Sequence, residues 1–419
     1  MNTAARRSLI LVTAADGLSR FGSAMTAVAI PWFVLVTTNS VARTSYTVFA
    51  GAVGAVLALF FGGVVVDRLS YARASALADF PAGLVVALIP LLYLTIGLPF
   101  FLLLLLVFVA ALLDTPAQVA RYSAMPDLAR DAGVRFERAN SIFDAVFTIT
   151  GLIGPALAGV LISAFEATDV LWIDAATFWL SALLMLAVAR WMSITQRSDT
   201  TSDSYLAQLR GALRFVYHEH VLFPLLIFFA VMNLAIGPME ALFVPVIARD
   251  VYHSAYALGF LSTALAVGAL GGNALFGAIG HRLPRRALFG VGYLALPLSF
   301  AILAVKPWFG IALVSLGVVG LGLSLANLLE YTIYFERIPA EMRARGLGVA
   351  GTISWGSVPL GRLLGGAVLA AFGLTATLGA FALAFAPVPF LLLILPTFRH
   401  LEDAATELLE HEEALPGVH

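Results

Sequence analysis

The run "FFLLLLLVFVAALL" at 100–113 carries no charge, no polar side chain and no turn former. A strand of a membrane barrel alternates lipid-facing and lumen-facing residues, and this run does not alternate. An α-helix satisfies its own backbone hydrogen bonds, so it tolerates hydrocarbon on every side. About 20 such residues cross a bilayer core. Comparable stretches fall near 8–35, 46–66, 74–96, 99–121, 141–164, 170–190, 221–248, 254–279, 287–305, 308–334, 346–371 and 375–397. The chain is 61% hydrophobic and 12% charged, where a soluble domain carries about 25% charge. The predicted fold class is all-α: a polytopic membrane protein of twelve transmembrane helices.

Arginines set the expected orientation, because cytoplasmic loops are enriched in positive charge. Loops following the even-numbered segments hold Arg68 and Arg73, then Arg121, Arg130, Arg135 and Arg138, and so on to Arg337, Arg343 and Arg345. The odd loops hold Arg43, Arg249 and Lys306 alone. Both termini are therefore expected in the cytoplasm of a bacterial cell, the chain lying in the inner membrane. Arg6 and Arg7 ahead of an apolar run read as an uncleaved signal anchor, since apolar residues continue through Trp32 and Phe33.

An internal repeat divides the chain. Gly63-x-x-x-Asp67-Arg68-Leu69 recurs as Gly277-x-x-x-His281-Arg282-Leu283, and a Pro126 loop after segment four is echoed by a Pro339 loop after segment ten. The expected organisation is a six-helix half over 1–190, a linker over 191–220, a second six-helix half over 221–397 and an acidic cytoplasmic tail over 398–419. Within the linker, Leu206, Leu209, Leu213 and Val216 recur at helical spacing, which predicts an interfacial helix.

These features resemble the major facilitator superfamily. The hinge at 62–74 is similar to its Gly-x-x-x-Asp-Arg-x-Gly-Arg-Arg signature at Gly63, Asp67 and Arg68; Ser70, Tyr71 and Ala72 depart from it, and Arg73 offers a displaced charge. The resemblance implies a cytoplasmic latch between the halves. "TGLIGPALAG" at 150–159 resembles the superfamily's antiporter motif at Gly151, Gly154, Pro155 and Gly159; a packing kink alone is the competing reading. "DTPAQVARYSAMPDLA" and "FERANSIFD" within 114–144, "DAATF" at 174–178 and "NLLEYTIYFERIPAEMRARGLG" at 327–348 resemble exporters of the macrolide-efflux and enterobactin-exporter type.

Charge at membrane depth is expensive and marks candidate function. By distance from segment ends the deep residues are Asp16, Arg20, Asp114, Glu240, Glu330 and Arg362, with Asp79, Asp144 and Asp174 nearer helix ends. Asp16 and Arg20 are four apart and share a helix face; either they form a fixed structural pair or protonation of Asp16 breaks it. Asp16, Arg20, Glu240, Glu330 and Asp114 are the candidate proton-coupling residues. Trp32, Asn233, Asn273, Asn327, Trp355 and Arg362 are candidates to line a substrate cavity, each of which packing between helices would also explain.

The exclusions are sharper. Net charge is −1, which gives no basis for nucleic-acid binding, and there is no Cys to form disulfides or thiolate metal sites. Lys306 is the single lysine, so a Walker A motif is excluded. No deep His and no metal-ligand spacing occurs, so neither cofactor nor metal is expected. The reading is a secondary exporter, not an enzyme, that moves lipophilic or cationic small molecules against protons by alternating access. It is expected to act as a monomer in the lipid bilayer, with a siderophore or lysophospholipid exporter as the alternative within transport and a non-transporting membrane enzyme or receptor as the last alternative.

Overall fold

A computed structural model describes residues 3–67, 70–191, 205–280, 284–339, 343–395 and Phe398. All regular structure among the described residues is helical. Six long helices come first: α1 (Thr3–Thr38), α2 (Val41–Asp67), α3 (Tyr71–Thr95), α4 (Phe100–Asp131), α5 (Phe136–Ala164) and α6 (Ala167–Trp191). A short α7 (Tyr205–His218) precedes α8 (Leu222–Pro238), a π-helical turn (Met239–Phe243) and α9 (Val244–Asp250). Then follow α10 (Ala255–Ile279), α11 (Arg285–Ala304), α12 (Phe309–Arg337), α13 (Arg343–Trp355), α14 (Val358–Phe385) and α15 (Val388–Ile394).

Eleven helical stretches among the described residues are long and apolar enough to cross a membrane, and the last runs over Gly346–Leu392. At 1.5 Å per residue that stretch would reach about 70 Å, more than twice the thickness of a hydrocarbon core. It is not one rod. Gly373 has φ 75, which turns the backbone left-handed inside α14, a conformation that glycine alone adopts without strain. The stretch therefore makes two spans, which brings the crossings among the described residues to twelve.

The helices group into two compact units. Met1–Thr200, Met239–Thr263 and Arg362–Ala370 make up the first; Thr201–Pro238, Ala264–Gly361 and Ala371–His419 make up the second. In the first, α1 packs on α4, α5 and α6, α3 on α4 and α6, and α2 on α4. In the second, α11 packs on α12 and α15, while α8 meets α7 and α13.

The structure bears on three further expectations. Pro126 lies inside α4, not in a loop, because the helix continues to Asp131 before Gly133 turns it. The amphipathic helix is present as α7, with Val216 buried and Leu213 and Tyr217 exposed. The Ser/Thr-rich stretch 192–204, the repeat copy at His281–Leu283 and the tail from 399 lie outside the described residues.

Small residues set the closest helix contacts, as is usual in membranes. A Cβ on Gly154 of α5 would stand 2.7 Å from the Ala24 Cβ of α1. One on Gly159 would stand 2.7 Å from the Gly259 Cα of α10, and one on Gly259 would stand 2.8 Å from the Pro155 oxygen. Gly151 faces open space. Gly154→Val should therefore destabilise the purified protein by about 1–3 kcal/mol through overpacking. Pro155→Ala should cost less, since it only relaxes a bend. Thermal unfolding in detergent gives the order, and equal midpoints would contradict the packing argument.

Candidate functional site

Four helices of the first unit turn polar faces toward one another. On α1 these are Asp16, Ser19, Arg20 and Ser23; on α3, Ser75 and Asp79; on α4, Asp114, Gln118 and Arg121; on α6, Asp174, Thr177 and Ser181. Each set follows i, i+3, i+4 or i+7 spacing, which stacks side chains on one helical face. Arg121 stands at their centre with no exposed surface. Its Nε donates to Asp16 Oδ1 at 3.0 Å and its Nη1 to Asp79 Oδ2 at 2.6 Å. Nη1 also reaches Ser75 at 3.1 Å and Ser181 at 3.4 Å, and Nη2 donates to Ser19 at 3.1 Å. One guanidinium thus ties α4 to α1, α3 and α6.

The carboxyls around it differ in how they are held. Asp16 is enclosed: Arg20 Nε donates to its second oxygen at 2.6 Å. Asp79 accepts from Arg121 and from Ser181 at 2.7 Å, leaving Oδ1 buried with no partner. Asp114 Oδ2 accepts from Gln118 at 2.9 Å and Ser23 at 3.2 Å, and its Oδ1 is buried with no partner. Asp174 lies directly against Gly22 of α1, and its Oδ2 is likewise without a partner. Among the described residues neither Asp114 nor Asp174 has a cation within ion-pair distance. Four carboxyls share two guanidiniums.

The sequence-derived candidates distribute as follows. Asp16, Arg20 and Asp114 join this cluster. Glu240 sits on the π-helical turn behind Pro238, exposed while Met239, Ala241, Leu242 and Phe243 beside it are buried. Arg362 on α14 is close enough to attract Glu240, donates to the Val48 carbonyl of α2 at 3.0 Å, and accepts Ser45 on its own carbonyl at 2.8 Å. In the second unit, Tyr334 donates to Glu330, Ser354 lies 3.1 Å from the same hydroxyl, and Asn233 donates to the Ser354 carbonyl at 2.9 Å. Asn273 accepts from Ser324, Asn327 is half-buried, and Trp355 is exposed at the end of α13. Trp32 lines a cavity where α1 and α3 end.

Of the hinge motif, Gly63 and Asp67 close α2 and Arg73 is exposed on α3, whereas Arg68 lies outside the described residues. Three sequence readings change. Arg121 belongs to the buried cluster, not to a cytoplasmic loop, because α4 runs ten residues beyond it. Asp79 and Asp174 are cluster members, not helix-end groups. Asp144, by contrast, is an exposed partner of Asn140. The spacing Asp114–Gln118–Arg121 was the signal that would have placed the arginine.

Long apolar helices that enclose buried polar faces are the architecture of a transporter of the major facilitator type. The fold matches that of the nucleoside transporter NupG with TM-score 0.74 at 15% identity, over 94% of this chain and 98% of that one. Residues 5–415 match the transmembrane secretion effector model, and the chain belongs to that family. Multidrug efflux pump Tap of Mycolicibacterium fortuitum is 28% identical over 409 residues, 97% of this chain and all of that protein. Macrolide efflux protein A of Streptococcus pyogenes is 22% identical over 220 residues, 52% of this chain and 54% of that protein.

Removing one partner of a buried charge pair costs about 3–5 kcal/mol, because the other charge is left uncompensated. Arg121→Leu should lose stability on that scale. Adding Asp79→Asn to it should recover part of the loss, since one stranded carboxylate is then gone. Unfolding midpoints of the single and double variants test this; an additive further loss in the double variant would contradict the hub arrangement.

Proposed function

We propose that the chain exports lipophilic small molecules, cations among them, from a bacterial cytoplasm in exchange for protons. The observation that carries this reading is the surplus of carboxyls over guanidiniums around Arg121. Buried charge without a counter-charge is strongly disfavoured, and a proton is the counter-charge that can come and go. Asp16, which shares both of its oxygens with arginines, and Asp114, which holds one oxygen unpartnered, are the groups through which protons would load and leave. The likeness to multidrug and macrolide efflux proteins supports the direction of transport and the breadth of substrates.

In this mechanism substrate and protons alternate. Protons entering from outside neutralise the surplus carboxyls and loosen the Asp16–Arg121 contact; their release toward the cytoplasm restores it. Glu240 with Arg362, and Glu330 with Tyr334, are the corresponding polar groups contributed by the C-terminal half of the sequence, and Asn233, Asn273, Asn327, Trp32 and Trp355 offer contacts to substrate. The arginine distribution supports cytoplasmic termini, and Asp67 and Arg68 would latch that face. Gly154 and Gly159 would hold α5 close to its neighbours during the cycle.

The test is efflux from proteoliposomes under an imposed pH gradient. Asp114→Asn keeps the shape but cannot release a proton, so it should lower concentrative efflux by at least about tenfold, equivalent to ~1.4 kcal/mol of lost coupling, while substrate still binds. An Asn variant that concentrates substrate as well as the parent would remove Asp114 from the coupling path.

A further inference from the structure

The cavity beside Trp32 is separate from the charged cluster. Trp32 stands twelve positions along α1 from Arg20, about 18 Å of helix. Its volume is about 320 Å³, within the size range of small-molecule sites. The walls are aromatic and come from different elements: Trp32 from α1, Tyr93 from α3 and Phe165 from the α5–α6 turn. Phe33 supports Tyr93 edge to face, with ring centroids 4.9 Å apart. Phe165 is 64% exposed, so its ring is available rather than consumed by packing.

One charged side chain lines this aromatic space, and it is Glu166. Asp169 stands beside it and accepts the Glu166 backbone N–H at 3.1 Å. The start of α6 contributes roughly half a positive charge, which two carboxylates outweigh. Arg249, which reaches the neighbouring Leu35 carbonyl at 3.2 Å, is already paired with Asp250 at 2.5 Å. The local balance is negative. Aromatic faces attract cations through their quadrupole, the more so where water is scarce.

We propose that this cavity is a binding site for a lipophilic onium group, a quaternary ammonium or phosphonium, held between the Glu166 carboxylate and the Trp32 and Tyr93 rings. The site binds whether or not the chain is proton-coupled, so its failure and the failure of the antiport reading are separable. Two sources carry this chemistry: a soluble organic cation and a choline lipid headgroup.

The chain has no cysteine, so Val36→Cys, exposed on the cavity wall, introduces a lone thiol whose maleimide labelling reports the site locally. In full-length protein in phosphatidylglycerol nanodiscs, tetraphenylphosphonium should slow labelling. Adding Glu166→Gln should raise the concentration giving half-protection by about tenfold. Tetraphenylborate, of the same shape and opposite charge, should give no protection. If phosphatidylcholine in the disc alone slows labelling in a Glu166-dependent way, the lipid headgroup is a ligand; if it does not, the soluble cation is. Thr37→Cys on the same wall provides a second reporter. Absence of protection at both thiols, equal protection by tetraphenylborate, or protection unchanged by Glu166→Gln would overturn the proposal.

Discussion

A guanidinium with no exposed surface, at membrane depth, is the constraint around which the first unit is organised. Desolvating such an ion costs several kcal/mol even after the protein relaxes. Arg121 is tolerable only because α1, α3 and α6 each present oxygen atoms to it. Those helices cannot slide or rotate independently without stranding a charge. The serines matter as much as the carboxylates, since Ser19, Ser75 and Ser181 occupy donors that would otherwise be unsatisfied.

The same cluster is rigid on one side and unsettled on the other. Asp16 is held by two arginines, and a proton that reaches it has to compete with both. Asp114 and Asp174 each keep one buried oxygen without a hydrogen-bond partner among the described residues. A transporter that exchanges protons needs both features: a fixed frame, and groups whose charge can change within it. Glycine contacts serve the frame. Where α5 meets α10, Gly159 and Gly259 bring the backbones too close for a side chain between them, and where α5 meets α1, Gly154 makes room for the Ala24 methyl.

The crossings, their helical nature and the Asp16–Arg20 pair were legible in the sequence, because apolar run length and i+4 spacing are local properties. Arg121 was not. Counting arginines toward loops works on average, and an arginine near the end of an apolar run looks like a loop residue until the helix is seen to continue through "YSAMPDLARD". Pro126 reinforced that misreading, since proline ends helices in water and is tolerated inside them in membranes. Asp79 and Asp174 lay nearer segment ends, and only the packing of α3 and α6 on α1 and α4 brings them inward. The partnership of Gly159 with Gly259 joins residues a hundred positions apart, which no local pattern reports.

Proton release on substrate binding tests the central claim most directly. In weakly buffered detergent solution near neutral pH, a pH-sensitive dye should report protons leaving the parent protein as substrate is added. The signal should disappear in a variant with both Asp16 and Asp114 changed to Asn, although that variant still binds substrate. Binding by the parent with no proton release at any pH between the carboxylate and histidine ranges would contradict the account.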